Sequence, residues 1–274
     1  MSFDRTKKVD RIVVHGGKFH ADDVFCVAMT LMCYPEAEVI RVNSVPEEYL
    51  SDENTIVADI GFGKYDHHQP DAELRKDGSR YAACGLLFRD LKDVIFAGNA
   101  EAEDDFERKY IRPVEIADNG GKENPLSETI SSFNATWDSD ESSDKTFGKA
   151  VRFVQDLIER ELKKIESENK AERIVSAAFE ASDGKVVELP EYMPWRSTLI
   201  PSSAVFVIYP SHRGGYNIQA VPAAYGDKTA KQYLPEEWLN NKPEGCIFVH
   251  PALFLACFDT REAAIYSAKR TLSE

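Results

Sequence analysis

The sequence has few of the features that mark membrane, secreted or disulfide-bonded proteins. No apolar run approaches the roughly 20 residues that a membrane helix needs. The stretch from Met1 to Lys8 has no apolar core of the kind found in secretory signals. The five cysteines show no Cys-x-x-Cys spacing and mostly lie in apolar runs, as reduced thiols of cytosolic proteins do. These absences predict a cytoplasmic protein with no membrane partner, and they leave an organellar or nuclear location open.

Basic residues are fewer than acidic ones. Lysine and arginine number 33 against 47 acidic residues, which gives a net charge of −14. Broad binding along nucleic acid depends on basic side chains that release counterions from the phosphates, so a long basic groove is disfavoured. A small phosphorylated ligand or a strand end is still allowed, because metal ions can neutralise a site built from carboxylates.

Histidines are few and concentrated near the start of the chain. Four of the six lie in the first quarter, each beside a carboxylate or at the end of a predicted strand. They are His15, His20, His67 and His68. The last two belong to the stretch Tyr65-Asp66-His67-His68-Gln69, which Asp59 precedes by a few residues. Imidazole and carboxylate together suit divalent manganese, zinc or iron. An isolated Asp-His-His triplet is more often an ordinary polar loop, but the clustering favours a metal site.

The first half of the sequence alternates between strand and helix patterns. Strands are predicted at 11–15, 38–42 and 55–59, and an amphipathic helix follows the first of them. This alternation is typical of a parallel α/β sheet, in which ligands collect at the carboxyl ends of the strands. His15 and Asp59 both end a predicted strand, so we expect them to lie close together.

Three aspartates have two interpretations each. Asp22 and Asp23 begin the helix that follows the first strand, where they either cap its N-terminus or enter a site. One of them can cap while the other points inward. Asp118 lies before Asn119-Gly120-Gly121, a turn signal, and fits a turn residue as well as a ligand.

The remaining segments predict a second, β-rich half behind a long helix. Helices are expected at 81–96 and 101–117, with a break or start near Pro113, and a long apolar stripe predicts one from Phe147 to about Ala181. The later predicted elements are strands at 186–189, 204–209, 217–221 and 246–250, and a helix from Asp259 or Thr260, where Asp259-Thr260-Arg261-Glu262 resembles a capping box. We predict an α/β domain over 1–145, a connecting helix over 146–182 and an α+β domain over 183–274.

Eight short motifs occur in the order found in one family. The first four resemble those of the DHH phosphoesterase superfamily and are His15-x4-His20-x-Asp22, Ala58-Asp59-Ile60-Gly61, Asp66-His67-His68-Gln69 and Ala117-Asp118-Asn119-Gly120. The other four are Phe133-Asn134-Ala135-Thr136-Trp137, Pro194-Trp195-Arg196, Gln219-Ala220-Val221-Pro222 and Cys246-Ile247-Phe248-Val249-His250. Together they resemble the Myg-type family, named for the melanocyte-proliferating-gene product, whose better-known members are 3′–5′ RNA exonucleases. The resemblance extends over residues 11–272.

The resemblance implies a fold and a set of metal ligands. An N-terminal parallel-sheet domain of the DHH type would hold two divalent ions, and a C-terminal domain would grip the substrate. Manganese is the expected ion, with magnesium, zinc or iron as alternatives. The implied ligands are His15, His20 and Asp59 for one ion, and Asp22, Asp59, His67 and Asp118 for the other. Asp59 would therefore bridge the two ions.

Further residues acquire roles from the same resemblance. Asp66 would orient an imidazole, and His68 would face the scissile phosphate. The residues implied to bind substrate are His250, Arg196 and Arg261, for phosphate, and Trp195, for stacking on a base. Core packing is an equally good interpretation of Trp195, and Arg261 has the alternative of serving only its own helix.

The sequence departs from the family pattern at three places. The interval from Asp59 to Asp66 is short, Asp23 stands where glutamate is usual, and Pro251 to Phe258 replace a glycine-bearing stretch. Lost glycines remove backbone positions that approach a phosphate closely, so the substrate is less well defined than the metal ligands.

The sequence thus predicts a two-metal phosphoesterase, in first place a 3′–5′ exonuclease acting on RNA or short oligonucleotides. One alternative is hydrolysis of a small phosphate compound such as pyrophosphate or a dinucleotide. The other is a metal-binding protein without turnover. The sequence leaves a homodimer open.

Overall fold

The structure, a computed structural model, describes residues 8–273. The stretch in which we found no secretory signal therefore lies outside the described residues, apart from Lys8. The chain divides into two compact units, one ending at Lys163 and the other beginning at Lys164. Within residues 8–273, no helix combines the length and apolarity that crossing a bilayer requires.

A three-stranded parallel sheet forms the centre of the first unit, which confirms the predicted parallel α/β fold. The strands are β1 (Arg11–His15), β2 (Glu38–Val42) and β3 (Thr55–Val57), in the order β2-β1-β3. Ile12, Val13 and Val14 in the central strand are completely buried. Successive side chains of a strand point to opposite faces, so this run shows that β1 is covered on both sides, as parallel sheets usually are.

Among the described residues of the first unit, 8–163, six helices lie wholly within it. They are α1 (Ala21–Cys33), α2 (Glu47–Ser51), α3 (Ala83–Ile95), α4 (Ala100–Phe106), α5 (Arg112–Asp118) and α6 (Pro125–Ser131). A π-helical turn over Glu107–Ile111 separates α4 from α5. It immediately precedes the start of α5, where Pro113 has no N–H to donate. The single helix predicted at 101–117 is therefore interrupted, as its proline indicated.

Gly85 allows α3 and α5 to approach closely. A Cβ at this position would overlap Oε1 of Glu115, a fully buried residue of α5. That oxygen accepts a hydrogen bond from the backbone N–H of Ala82 at 3.2 Å, and Arg75 pairs with the other carboxylate oxygen at 2.7 Å. The carboxylate is thus fixed from two sides and has little room to yield.

We expect Gly85→Ala to lower the free energy of unfolding by about 2 kcal/mol, because the added methyl group overpacks the contact with Glu115. Gly148→Ala is the matched control. Gly148 is a helical glycine with nothing within 4 Å of its added Cβ, so alanine there should raise stability by about 0.5–1 kcal/mol. Urea denaturation of both variants measures the difference, and equal effects at the two positions would contradict the packing argument.

The long helix α7 (Ser143–Glu180) begins in the first unit and ends in the second. Its existence confirms the helix predicted from Phe147 onward. Buried residues run from Phe147 to Ile158 and resume at Ala171 and Val175, so the helix contributes to the core at both of its ends. The division between the units falls within this helix, whereas the domain limits drawn from the sequence stay predictions.

The second unit contains a five-stranded mixed sheet in the order β4-β5-β6-β8-β7. Its elements are β4 (Val186–Glu188), α8 (Arg196–Leu199), β5 (Phe206–Pro210), β6 (Tyr216–Ala220), a 3-10 turn (Glu236–Leu239), β7 (Cys246–Val249), β8 (Leu255–Phe258) and α9 (Arg261–Thr271). β4 and β5 are parallel, and the other pairs are antiparallel. The sequence predicted no strand at β8, which lies between β6 and β7.

The capping box predicted at the start of α9 is wrong in detail. Thr260 is the N-cap residue, and its side chain accepts a hydrogen bond from the backbone N–H of Ala263 at 3.2 Å. The third helical position is therefore Ala263, and Glu262 stands one residue too early to complete the box.

Candidate metal centre

His15 and Asp59 meet at the carboxyl edge of the parallel sheet. His15 is the last residue of β1, and Asp59 follows the end of β3. The distance from His15 Nε2 to Asp59 Oδ2 is 3.4 Å. Asp59 has a φ of 58°, in the left-handed region that is uncommon for residues other than glycine. Backbone in this region costs about 1–3 kcal/mol and clusters at functional sites. The conformation of Asp59 is therefore consistent with a functional role for this turn.

The first turn of α1 contributes two carboxylates with different surroundings. Asp23 Oδ1 accepts hydrogen bonds from the backbone N–H groups of His20 and Val24, both at 2.9 Å. Its other oxygen, Oδ2, is buried without a hydrogen bond and lies 3.3 Å from His15 Nε2. Asp23 therefore serves as a helix cap with one oxygen and faces the site with the other.

Asp22 is held by the start of a different helix. Its Oδ2 and Oδ1 accept hydrogen bonds from the backbone N–H groups of Ala83 and Cys84, at 2.9 and 2.7 Å. Those N–H groups open α3, where unpaired donors and the helix dipole favour negative charge. The carboxylate is completely buried, and Oδ2 lies 3.7 Å from His67 Nε2. The packing of α1 on α3 thus fixes this carboxylate toward the histidine.

His67 lies where the carboxylates converge. Its Nε2 is 3.2 Å from Oδ2 of Asp118, at the end of α5, and 3.4 Å from Oδ1 of Asp59. This nitrogen is buried and makes no hydrogen bond. Asp59 consequently presents one oxygen to His67 and the other to His15.

Asp66 and His68 form a hydrogen-bonded pair beside this cluster. Asp66 is 2% exposed, and its Oδ2 accepts from the backbone N–H of Phe62 at 2.7 Å. Its Oδ1 accepts from the backbone N–H of His68 at 3.1 Å and lies 2.7 Å from Nδ1 of the same residue. A contact that short to a carboxylate places the proton on Nδ1. The His68 ring is 55% exposed, which leaves Nε2 as its outward-facing nitrogen.

Two aspartates and two histidines of the cluster have strongly displaced pKa values. Burial raises the pKa of Asp23 to about 7, and burial together with the charges of Asp59 and Asp118 raises that of Asp22. The interaction with Asp59 raises the pKa of His15 to about 9. Although burial opposes charge on His67, Asp118 and Asp59 raise its pKa to about 10. These directions describe a site of strong negative potential, which a bound cation would neutralise.

The donors fit divalent metal ions. Three groups of residues place one ligand atom each within 4.8 Å of one another. They are His15 with Asp23 and Asp59, Asp22 with His67 and Asp118, and Asp59 with His67 and His68. Nitrogen and oxygen donors of these types suit manganese, iron and zinc. The buried, unpaired His67 Nε2 and Asp23 Oδ2 are the atoms that such ions would satisfy.

His20 lies at the edge of the cluster. Its side chain is exposed, its ring centroid is 5.6 Å from that of His15, and it belongs to none of the three groups found among residues 8–273. Its role as a ligand stays a prediction. Asp23, which the sequence offered as a cap or a site residue without a metal assigned to it, forms one of these groups with His15 and Asp59. The signals for Asp23 in the sequence were its place beside Asp22 at the start of a helix and a family position at which glutamate is usual.

The residues predicted to bind substrate lie in the second unit. Trp195 is 2% exposed and packs in a core that includes Leu199 and Val207. Its ring has no open face for a base, so the structure favours the packing interpretation. Arg261 forms a two-point ion pair with Glu188, with Nη2 and Oε2 2.8 Å apart, so its charge is already matched.

The polar ends of Arg196 and His250, unlike that of Arg261, are not engaged in an ion pair with any described residue. Arg196 is exposed, with its guanidinium 5.7 Å from the centroid of the Trp195 ring. His250 Nδ1 accepts a hydrogen bond from the backbone N–H of Ala252 at 3.1 Å, which leaves Nε2 to carry a proton. The ring lies 4.4 Å from that of Phe254.

Known proteins resemble this chain along most of its length. A rat MYG1 exonuclease is 26% identical over 326 aligned residues, which cover 96% of this chain and 85% of the relative. A MYG1 protein of Schizosaccharomyces pombe is 26% identical over 96% of this chain and 97% of its own. A MYG1 protein of Chlamydia pneumoniae is 24% identical, with the same two coverages.

A solved structure of RecJ with Mn²⁺ from Thermus thermophilus is 14% identical, with a TM-score of 0.28. The match covers 98% of this chain and 52% of the RecJ chain, so the chain spans about half the length of RecJ. That likeness is too weak to define a shared fold. The profile of the MYG1_exonuc family, described as an uncharacterised protein family (UPF0160), matches residues 11–272. The chain belongs to the MYG1_exonuc family.

Proposed function

We propose that the chain is a metal-dependent phosphoesterase that acts as a 3′–5′ exonuclease on RNA or short oligonucleotides. The observation that carries this proposal is the position of Asp59, whose two carboxylate oxygens face His67 and His15 separately. A carboxylate shared in this way suits a pair of ions. The exonuclease names of the mammalian relatives support the reaction class.

Each metal has a set of candidate ligands in the first unit. One ion would be held by His15, Asp23 and Asp59, and His20 is the candidate that completes this set. The other would be held by Asp22, His67 and Asp118, with Asp59 shared. When bound, the divalent ions supply positive charge that stabilises the charge developing on a phosphate during displacement. We take manganese as the native ion, with magnesium, zinc or iron as alternatives.

The protein's own contribution to the reaction lies with Asp66 and His68. Asp66 is fixed by the backbone N–H of Phe62 and holds Nδ1 of His68. The imidazole therefore presents Nε2 outward, and in its protonated form it donates a hydrogen bond to a phosphate oxygen. In the second unit, we assign phosphate contacts to His250 and Arg196, whose polar ends are free for them. Arg261 is a weaker candidate because Glu188 already neutralises it.

Asp66→Asn should lower kcat by about ten- to a hundredfold, which is the usual cost of losing a hydrogen bond that orients a site histidine. The asparagine amide offers one acceptor where the carboxylate accepts from both Phe62 and His68. Bound manganese, measured by equilibrium dialysis, should stay unchanged. Asp71→Asn, an exposed acid in the same loop, is the control and should keep full activity. A loss of manganese together with activity would instead make Asp66 a ligand.

An activity screen tests the proposed function as a whole. Purified protein with Mn²⁺ is offered RNA and DNA oligomers labelled at the 5′ end, a dinucleotide and pyrophosphate. A ladder of shortened, still labelled RNA indicates digestion from the 3′ end. His67→Ala should abolish the ladder, whereas His212→Ala, an exposed histidine of the second unit, should preserve it. Turnover of pyrophosphate alone would replace the exonuclease proposal with a small-phosphate hydrolase, and inactivity on every substrate would exclude both.

A further inference from the structure

Phe62 combines a strained backbone with an exposed aromatic ring. It lies in the short loop that joins Asp59 to Asp66, has a φ of 54° and is 72% exposed. A single exposed apolar side chain is common on protein surfaces. A bulky residue at positive φ is an outlier, because glycine or asparagine adopts that conformation at less cost. The turn by itself therefore does not require phenylalanine here, and outliers of this kind cluster at functional sites.

The backbone that carries this ring is fixed on both sides. Before it, Gly61 packs so closely that a Cβ there would come within 3.1 Å of side-chain atoms of Leu50 and Val45. At Phe62 itself, the backbone N–H donates to Oδ2 of Asp66 at 2.7 Å. A ring on a fixed backbone loses little freedom when a ligand packs against it, so Phe62 is preorganised for such a contact.

A single carboxylate connects Phe62 to His68. Oδ2 of Asp66 accepts from the Phe62 N–H, and Oδ1 of the same residue lies 2.7 Å from Nδ1 of His68. The His68 side chain is 55% exposed, so both rings are open to solvent beside the candidate metal centre. A ligand whose phosphate accepts a hydrogen bond from His68 Nε2 therefore brings the group attached to that phosphate near Phe62.

The loop favours a flat apolar group over further negative charge. Lys64 is the only basic residue of the loop over 60–65, and Asp90 and Tyr65 already engage its Nζ. A second phosphate, as in pyrophosphate, would therefore find no free cation in this loop. Phenylalanine has no polar atom with which to read the edge of a base, but its face stacks on any base. Among the parts of a nucleotide, the base is the one that fits this surface.

We infer that Phe62 is a stacking platform for the base of the nucleotide whose phosphate lies at the candidate metal centre. The inference rests on the proposed function, to which it adds the residue of the first unit that contacts the base. Phe62 takes the role that the sequence suggested for Trp195, whose ring is buried. Stacking requires a base but does not read its edge, so hydrolysis should depend on the presence of a base more than on its identity.

Binding of two phosphorylated compounds tests the platform without requiring turnover. Calorimetry compares the affinities of the manganese-loaded protein for adenosine 5′-monophosphate and for ribose 5-phosphate, which lacks the base. The wild type should bind the nucleotide about tenfold more tightly, the contribution of one stacked base. Phe62→Gly should abolish that difference and leave the binding of ribose 5-phosphate unchanged, whereas Phe62→Tyr, which keeps a flat ring, should preserve it.

Two controls separate stacking from a structural role of the residue. In Phe62→Gly, relief of the positive φ offsets the greater freedom of glycine in the unfolded chain, so the melting temperature should stay unchanged. Tyr266→Ala removes another exposed ring, on α9 in the second unit, and should leave both affinities unchanged. Equal affinities of the wild type for the two compounds, equal weakening of both by Phe62→Gly, or no weakening of either would overturn the platform.

Hydrolysis distinguishes a failure of this inference from a failure of the proposed function. RNA oligomers that end in a normal or in an abasic 3′ nucleotide are offered to the wild type and to Phe62→Gly. A preference of the wild type for the normal end, lost in the variant, supports the platform. Digestion of both oligomers at equal rates by the wild type overturns the platform and leaves the exonuclease standing. Nucleotide binding that depends on Phe62, in a protein that hydrolyses no substrate, supports the platform and refutes the exonuclease.

Discussion

Asp59→Asn is expected to abolish hydrolysis of RNA while the protein stays folded. Asp59 is the residue that both halves of the candidate centre share, with Oδ1 3.4 Å from His67 Nε2 and Oδ2 3.4 Å from His15 Nε2. Asparagine keeps one of the two oxygens. An NH2 group, which donates hydrogen bonds and does not bind a cation, replaces the other. Losing the proposed bridging ligand should raise the activation barrier by about 4 kcal/mol or more, which corresponds to about a thousandfold loss of kcat/KM.

Asparagine is the right replacement because of the backbone at this position. With φ at 58°, Asp59 occupies the left-handed region, which asparagine tolerates better than most residues do. Alanine there would add backbone strain to the loss of the ligand. The measurements are kcat/KM on labelled RNA, bound manganese, and the circular dichroism spectrum. Activity within tenfold of the wild type would refute the shared carboxylate, and loss of the folded spectrum would point to a structural role instead.

Manganese is expected to raise the melting temperature of the apoprotein by about 10 °C. The free cluster confines four carboxylates at one place, and burial disfavours the charge of two of them, Asp22 and Asp23. Ions that bind only the folded state stabilise it by about 4 kcal/mol at a thousand times their dissociation constant. For a chain of this size that free energy corresponds to a shift of about 8–16 °C.

His67→Ala should remove at least half of that shift, because His67 lies 3.2 to 3.7 Å from three of the carboxylates. His212→Ala should retain all of it. Scanning calorimetry of the chelator-treated protein, with and without Mn²⁺, makes the comparison. A shift below about 2 °C in the wild type, or an equal shift in His67→Ala, would contradict metal binding at this cluster.

The sequence predicted the elements whose side chains follow a clear period. β1, β2 and α1 lie where their apolar patterns placed them. The third strand ends at Val57 instead of Asp59, because the left-handed backbone of Asp59 cannot continue a strand. β8 was missed since its four residues follow an apolar run without periodicity, and only pairing with β6 and β7 defines it.

In the candidate site, too, some contacts could be predicted from the sequence pattern and others depend on the folded structure. The proximity of His15 and Asp59 could be predicted, because parallel strands bring their carboxyl ends to one edge. The double use of Asp23 could not, since it depends on which oxygen the helix start engages. The pairing of Arg261 with Glu188 joins residues 73 positions apart, so no local sequence pattern predicts it.

Two metal ions are expected to bind on either side of Asp59. Diffraction from crystals soaked in Mn²⁺, recorded at the manganese absorption edge, locates such ions directly. We predict two anomalous peaks, one bounded by His15, Asp23 and Asp59 and the other by Asp22, His67 and Asp118. Protein that binds Mn²⁺ in solution but shows no peak within this cluster, or a single peak that Asp59 does not touch, would contradict a two-metal centre built around Asp59.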